Sequence, residues 1–134
     1  MMDRLPKPPV TAEFNAAYDD YYDRKDYEGA FPVFKAVAEK DDSPDQGFAL
    51  YMLGLCYANG DGVEQDSRIG VLHLTRAAEQ FQNPDAMIVL GNMYNLGEGV
   101  SVNPEEARRL HQAAADMGHP GAQIAMDMWS NFRA

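Results

Sequence analysis

Apolar residues recur every three or four positions along most of this chain. In residues 12–44 they are, in order, Phe14, Ala17, Tyr18, Tyr21, Ala30, Phe34 and Val37. This is the period of an amphipathic helix that buries one face. The pattern predicts two helices joined as a hairpin in this segment, followed by helices over 46–58, 67–81, 84–96, 104–117 and 120–131.

Prolines mark the boundaries of the predicted elements. Three prolines in residues 1–11 make that stretch an extended N-terminal arm, and residues 12–134 then form a single domain. Pro32 lies inside the second helix and is expected to bend it or delay its start. Asn103 and Pro104 suit a helix start, because Asn caps the free N–H groups and Pro fits the first helical position.

Two stretches of the chain are copies of one another. The sequence ALYMLGLCYANGDGV from Ala49 is matched by AMIVLGNMYNLGEGV from Ala86, 37 positions later. A period between about 20 and 50 residues is typical of a solenoid. The repeated Gly54 and Gly91 leave room for a neighbouring helix, and Tyr57 and Tyr94 are expected to fill the space between hairpins.

The two glycine-rich loops have the same design. Gly60, Gly62, Gly97 and Gly99 supply backbone angles that other residues resist, so that the chain can turn into the second helix. Asp61 and Glu98 lie between them but lack the alternating oxygen ligands of a calcium loop. A solvated turn is therefore expected at both acids.

Charge and cysteine content restrict the class of partner. The 134 residues include 21 acidic and 11 basic side chains, a net charge of −10, which disfavours nucleic acid and membrane surfaces and favours a basic protein. The single Cys56, at an apolar helix position, excludes an internal disulfide and predicts a buried thiol. Without an apolar span or a signal-peptide core at its start, the chain is expected to be cytoplasmic.

No constellation of catalytic or metal-binding residues is visible. The histidines are His73, His111 and His119. His73 and His111 lie on different repeats and neither has a second ligand three or four positions later, so ordinary helix-surface or interhelix histidines are expected, and neither a metal site nor a cofactor. The glycine loops are not followed by Gly-Lys-Ser/Thr, and the serines lack His and acid partners at suggestive positions. We therefore do not expect an enzyme.

The pattern AxxxLGxxYxxGxGVxxD, followed by a second helix ending in Ala-Ala, resembles the Sel1-like repeat family, which is related to tetratricopeptide repeats. Residues 46–81 and 83–118 carry two full copies, and the first hairpin is similar to a tetratricopeptide repeat. The last helix begins like a further copy, but Asp127 replaces the glycine, which suggests a terminal cap. The resemblance implies a right-handed all-α solenoid of about three hairpins plus a C-terminal capping helix.

The same resemblance implies a non-catalytic adaptor or scaffold whose concave groove is lined by the first helix of each hairpin. The expected partner-binding residues are Asp19, Tyr22, Asp23, Phe48, Tyr51, Leu55, Ile88, Asn92, Ile124 and Met128, with Asn15 and Asp85 beside them. Their apolar centre and acidic end predict a bound peptide or helix with apolar anchors and basic residues. The alternative is that the C-terminal helix or residues 6–10 cover these side chains.

Three roles within this class remain open at this point. The chain is a scaffold, a dedicated inhibitor or immunity-type protein that blocks one target enzyme, or a secretion chaperone. Its small size and acidic surface favour a dedicated binder. The sequence does not predict the oligomeric state.

Overall fold

The computed structural model describes residues 11–133, with side chains described as far as residue 128. Within this range the chain forms helices and no strand. The helices are α1 (Ala12–Tyr22), α2 (Tyr27–Ala38), α3 (Gln46–Asn59), α4 (Ser67–Phe81), α5 (Pro84–Leu96), α6 (Pro104–Asp116) and α7 (Pro120–Arg133). The predicted helices are thereby confirmed, with ends that differ by one or two residues.

Successive helices pack as a one-dimensional stack. The pairs α1 and α2, α3 and α4, and α5 and α6 form three hairpins, and the second helix of each hairpin also packs on the helix that follows it. At the C-terminal end of the stack, α7 packs on α6. Because each unit contacts its neighbours along the chain, the architecture is an all-α solenoid, as predicted.

One continuous apolar core runs through the described part of the stack. Its largest fully buried side chains include Phe14 and Phe34 from the first hairpin, Leu50 and Leu74 from the second, and Leu90 and Leu110 from the third. Cys56 is also fully buried, as predicted, and burial raises the pKa of its thiol to about 12. The thiol is therefore a small core side chain and not a nucleophile.

Two glycines allow the helices of a hairpin to approach closely. A Cβ added to Gly54 would lie 2.6 Å from Leu74 Cγ, and one added to Gly91 would lie 2.6 Å from His111 Nε2. Neither position has space for a side chain. The predicted packing role of the repeated glycines is thus confirmed.

The glycine-rich loops make a contact that the repeat pattern does not show. Gly60 and Gly62 have φ of 75° and 76°, which confirms the predicted left-handed backbone. A Cβ on Gly62 would collide with the backbone carbonyl of Tyr27, and a Cβ on Gly99 would collide with that of Ser67. Each loop therefore lies directly on the first turn of the second helix of the preceding hairpin.

Local signals define the helix starts. The Asn103 side chain accepts a hydrogen bond from the backbone N–H of Glu106 at 3.2 Å, and Pro104 is the first helical residue, as predicted. Pro32 lies within α2, which begins at Tyr27, so the proline does not delay the start of this helix. Pro32 is the sixth residue of this helix, beyond the first turn, so it removes one helical hydrogen bond and the expected bend stays a prediction.

Most of the predicted N-terminal arm lies outside the described residues, and its extended conformation stays a prediction. Thr11, the last residue assigned to it, is the residue preceding α1. Its backbone N–H and its hydroxyl both donate to Asp45 Oδ2, at 2.9 Å and 2.5 Å. The start of α1 is thereby attached to the residue preceding α3.

The contact between the glycine loop and α2 can be separated from backbone strain by comparing Gly60→Ala with Gly62→Ala. Both glycines are left-handed, but only Gly62 faces a backbone carbonyl, whereas a Cβ on Gly60 lies 3.2 Å from the Gln65 side chain. Gly60→Ala should lower the free energy of unfolding by about 1–2 kcal/mol. Gly62→Ala should lower it by at least about 1 kcal/mol more, measured by urea denaturation followed by circular dichroism. Equal losses would show that the loop does not need this close approach.

Candidate partner-binding face

The first helices of the hairpins, together with α7, lie side by side. The Tyr22 hydroxyl of α1 lies 3.9 Å from Met52 Sδ of α3. Further along, His119 Nε2, at the residue preceding α7, lies 2.6 Å from Asp85 Oδ1 of α5. We call the surface formed by α1, α3, α5 and α7 the first-helix face. It corresponds to the surface for which the sequence predicts a binding groove.

The acidic end of the predicted groove lies on α1. Asn15 and Asp19 are exposed there, Asp23 is exposed at the C-terminal end of the helix, and Tyr22 is 39% exposed. The nearby Arg24 forms an exposed ion pair with Asp20 at 2.5 Å, leaving the predicted acids outside that pair. This end of the face is therefore both negatively charged and aromatic.

The predicted apolar centre is more buried than its ends. Phe48, Tyr51, Leu55 and Ile88 are all half-buried and pack against the core. They therefore contribute both to stability and to the surface, and their role in binding a partner stays a prediction. A Cβ on Gly121 would lie 3.7 Å from Ile88 Cδ1, so the start of α7 approaches this centre.

The opposite end of the face is apolar and open. Ile124 and Met128 of α7 are 63% and 65% exposed. Aligning AQIAMD of α7 with AMIVLG of α5 places Ile124 at the position of Ile88 and Met128 at that of Asn92. These two side chains thus continue the line of predicted anchors.

Three tyrosines and one carboxylate meet on the first-helix face. The rings of Tyr18 and Tyr22 are 4.7 Å apart at 47°. The pKa of the half-buried Tyr51 is raised by burial and by the neighbouring Tyr22, Asp85 and Tyr18. Burial raises the pKa of Tyr22 to about 12, and the negative charge of Asp85 contributes to this rise as it does for Tyr18 and Tyr51. We call these four residues the tyrosine–aspartate cluster.

Two residues of this region, Tyr18 and His119, have surroundings that their sequence positions did not predict. Tyr18 follows the apolar period of α1 but is 36% exposed, beside Tyr22. His119 is expected to be an ordinary helix-surface or interhelix histidine, but its Nδ1 accepts from the Gly121 N–H at 3.0 Å, and its Nε2 donates to Asp85. The available signal was its place before Pro120, where a side-chain acceptor caps a helix.

A polar pair replaces an apolar pair between the two repeat copies. Leu55 and Leu74 of the second hairpin correspond to Asn92 and His111 of the third, 37 positions later. His111 Nε2 lies 3.1 Å from Asn92 Oδ1, and the imidazole is 2% exposed. Because both residues change together, comparing the copies would have indicated that these positions are in contact.

Asp61 corrects the expectation of a solvated turn. It is half-buried, and its Oδ2 accepts a hydrogen bond from the Tyr21 hydroxyl at 2.5 Å. Burial and this bond raise the pKa of the Tyr21 phenol. Glu98, the corresponding acid of the other loop, is exposed. The two loops therefore differ, because a tyrosine of the preceding hairpin reaches only the first of them.

The described residues contain no group of three or more His, Cys, Asp or Glu side chains placed to hold a metal ion.

An open cavity of about 340 Å³ lies where the second glycine loop meets the start of α4, lined by Arg68, Gly97, Gly99, Val100 and Ser101. None of these residues belongs to the first-helix face. Among the described helices, none is long and apolar enough to cross a membrane.

The hairpin stack, the glycine loops and the close helix contacts define a helical-repeat protein. The model of the Sel1 repeat matches residues 47–80 and 84–119, which together are more than half of the chain. The chain belongs to the Sel1 repeat family.

Proteins of known sequence and structure agree with this assignment. Human protein sel-1 homolog 2 is 29% identical over 97 residues, which are 72% of this chain and 14% of that protein. The crystal structure of a Sel1 repeat protein from Oxalobacter formigenes matches with a TM-score of 0.74 at 28% identity, covering 87% of this chain and 44% of the other. A protective antigen of uropathogenic Escherichia coli with an SLR fold has the same TM-score at 33% identity, covering 86% and 24%.

A third structure supports the fold alone. Helicobacter pylori cysteine rich protein B has a TM-score of 0.64 at 20% identity, covering 86% of this chain and 97% of the other.

The chain spans less than half of the length of the human, Oxalobacter and Escherichia coli proteins.

The buried imidazole of His111 predicts a loss of stability in mild acid. Burial lowers its pKa, and that of the half-buried His73, below the ordinary value, so the unfolded chain binds more protons than the folded protein below about pH 6.5. The free energy of unfolding should have its full value above that pH and should decrease as the pH falls through it. Urea denaturation between about pH 7.5 and 5.5 measures this loss.

The variant Asn92→Leu/His111→Leu copies the apolar pair of the second hairpin and should lose less stability over the same pH range. The dependence that remains then reports His73 and other titrating groups. An unchanged dependence in the double variant would contradict the assignment to His111.

Proposed function

We propose that this chain is a non-catalytic interaction module that binds a peptide or helix of a partner protein on its first-helix face. Sel1 repeat proteins generally mediate protein–protein interactions. The observation that carries the proposal is that both ends of this face expose large apolar or aromatic side chains, Tyr18 and Tyr22 on α1 and Ile124 and Met128 on α7. Exposed apolar and aromatic side chains on one surface are typical of a docking site.

The charge of the face supports a basic partner. Asp19 and Asp23 are exposed at one end, Asp85 is near the centre, and the chain as a whole carries a net charge of −10. Complementary charge speeds encounter and selects partners more than it adds affinity. Affinity is then expected from the apolar anchors, including Ile124 and Met128.

The role of the complex is part of the proposal. A scaffold holds two partners at once, whereas a dedicated inhibitor or immunity-type protein forms one stoichiometric complex that abolishes an activity, and a secretion chaperone releases its partner unchanged. We favour the adaptor or scaffold role, since the family is generally non-catalytic and binds protein partners. Cytoplasmic localisation likewise stays a prediction.

The proposal predicts that Ile124→Asp/Met128→Asp weakens partner binding without loss of helicity. A partner is first captured from a lysate of the native organism with wild-type protein, then purified and titrated by calorimetry. The double variant should bind at least about tenfold more weakly, because charged side chains cannot occupy apolar contacts.

Leu72→Asp/Val102→Asp is the matched control. Leu72 and Val102 are 65% and 59% exposed and lie on α4 and in the second glycine loop, outside the first-helix face. This variant adds the same charge at similarly exposed apolar positions and should bind as wild type does. Equal loss in both variants, or loss in the control alone, would place the site elsewhere.

A further inference from the structure

We propose that the tyrosine–aspartate cluster binds the guanidinium group of an arginine from the partner protein. The cluster combines two half-exposed phenol rings, a third, half-buried phenol and a partly exposed carboxylate, contributed by α1, α3 and α5. The inference rests on the proposed function and specifies which chemical group of the partner the centre of the first-helix face recognises.

The ring geometry suits a planar cation. The Tyr18 and Tyr22 centroids are 4.7 Å apart and their planes are inclined by 47°, so the pair is tilted and not stacked face to face. Both rings keep more than a third of their surface exposed. An arginine guanidinium within about 6 Å of such a ring is attracted by its electron-rich face.

The carboxylate of Asp85 supplies the counter-charge. Its side chain is 42% exposed, and its Oδ1 lies 2.6 Å from Nε2 of His119. A carboxylate can accept about four hydrogen bonds, so His119 orients Asp85 and leaves acceptor capacity for a second donor. The influence of Asp85 on the pKa of Tyr18, Tyr22 and Tyr51 supports its proximity to all three rings.

Among the described residues, the two basic side chains that follow Tyr22 in sequence are engaged at other atoms. Arg24 pairs with Asp20 at 2.5 Å, and Lys25 Nζ lies 3.3 Å from the backbone carbonyl oxygen of Tyr22. Asp19, exposed next to Tyr18, adds to the negative potential at the rings. The aromatic surface therefore lies in a negative field, which favours a cation over a neutral apolar group.

The test titrates full-length protein with N-acetyl-arginine amide and records the tyrosine ring signals by NMR. A ligand of this size is expected to bind with a dissociation constant on the order of 1 mM. Saturable shifts are expected at Tyr18, Tyr22 and Tyr51, while Tyr57, whose ring packs against Phe31 of α2 and His73 of α4, serves as an internal reference. N-acetyl-citrulline amide, a neutral ligand of the same shape, should produce no such shifts. Equal shifts with citrulline would overturn the proposal.

Two variants assign the interaction to the cluster. Asp85→Asn keeps an oxygen that can accept from His119 but removes the charge, and should weaken arginine amide binding about tenfold or more. Tyr22→Leu should weaken it by at least about fivefold through loss of the ring. Asp41→Asn, which removes the same charge from an exposed loop position, should bind as wild type does. If Asp41→Asn weakens arginine amide binding as much as Asp85→Asn does, the effect comes from net charge alone, and the proposed site is overturned.

Another occupant of the cluster would be the chain's own N-terminal segment. If Arg4→Ser/Lys7→Ser binds arginine amide more tightly than wild type, a cation of this chain competes for the site, and the proposal of a partner's arginine fails.

Failure of this inference is also distinguishable from failure of the proposed function. A partner whose binding depends on Ile124 and Met128 but not on Asp85 would preserve the function and overturn the cation site.

Discussion

The close approach of backbone to backbone is the constraint on which the rest of this structure depends. A Cβ on Gly54 would meet the Leu74 side chain and lie 3.1 Å from the carbonyl oxygen of Gly70, and one on Gly91 would meet the His111 side chain and lie 3.2 Å from that of Ala107, so the two helices of a hairpin approach closely at each glycine. Gly62 makes the equivalent approach between hairpins, where its loop rests on the carbonyl of Tyr27. Each hairpin is therefore held both internally and against the preceding one by contacts that only glycine permits.

Because the glycine contacts set the position of each hairpin, they also create the first-helix face. Residues on successive first helices become neighbours although they are far apart in sequence, as Tyr22 and Met52, 30 positions apart, show. The repeat maintains the scaffold while the surface residues vary. The exchange of Leu55 and Leu74 for Asn92 and His111 is such a variation, and it introduces a hydrogen bond between the two helices of the third hairpin.

Comparison of prediction and structure shows which signals were reliable. The helix that starts at Pro104 was predicted because Asn103 and the proline act within one turn. Tyr18 was assigned by its period to the apolar set of α1, but it lies at the edge of the buried face and is partly exposed. Asp61 was expected to be solvated because its tyrosine partner lies 40 positions earlier, outside any local pattern.

The sequence by itself determined the order of the described helices, the bounds of the last five to within two residues, the left-handed glycine turns and the membership of the family. These properties depend on backbone angles, capping groups and apolar period within one repeat, which are written in consecutive residues. Only the tertiary structure decided that Asp85 pairs with His119, that Tyr21 reaches Asp61 and that three tyrosines meet one carboxylate. Such contacts depend on the rotation between successive hairpins, which results from the packing of whole helices and is not encoded in any single repeat.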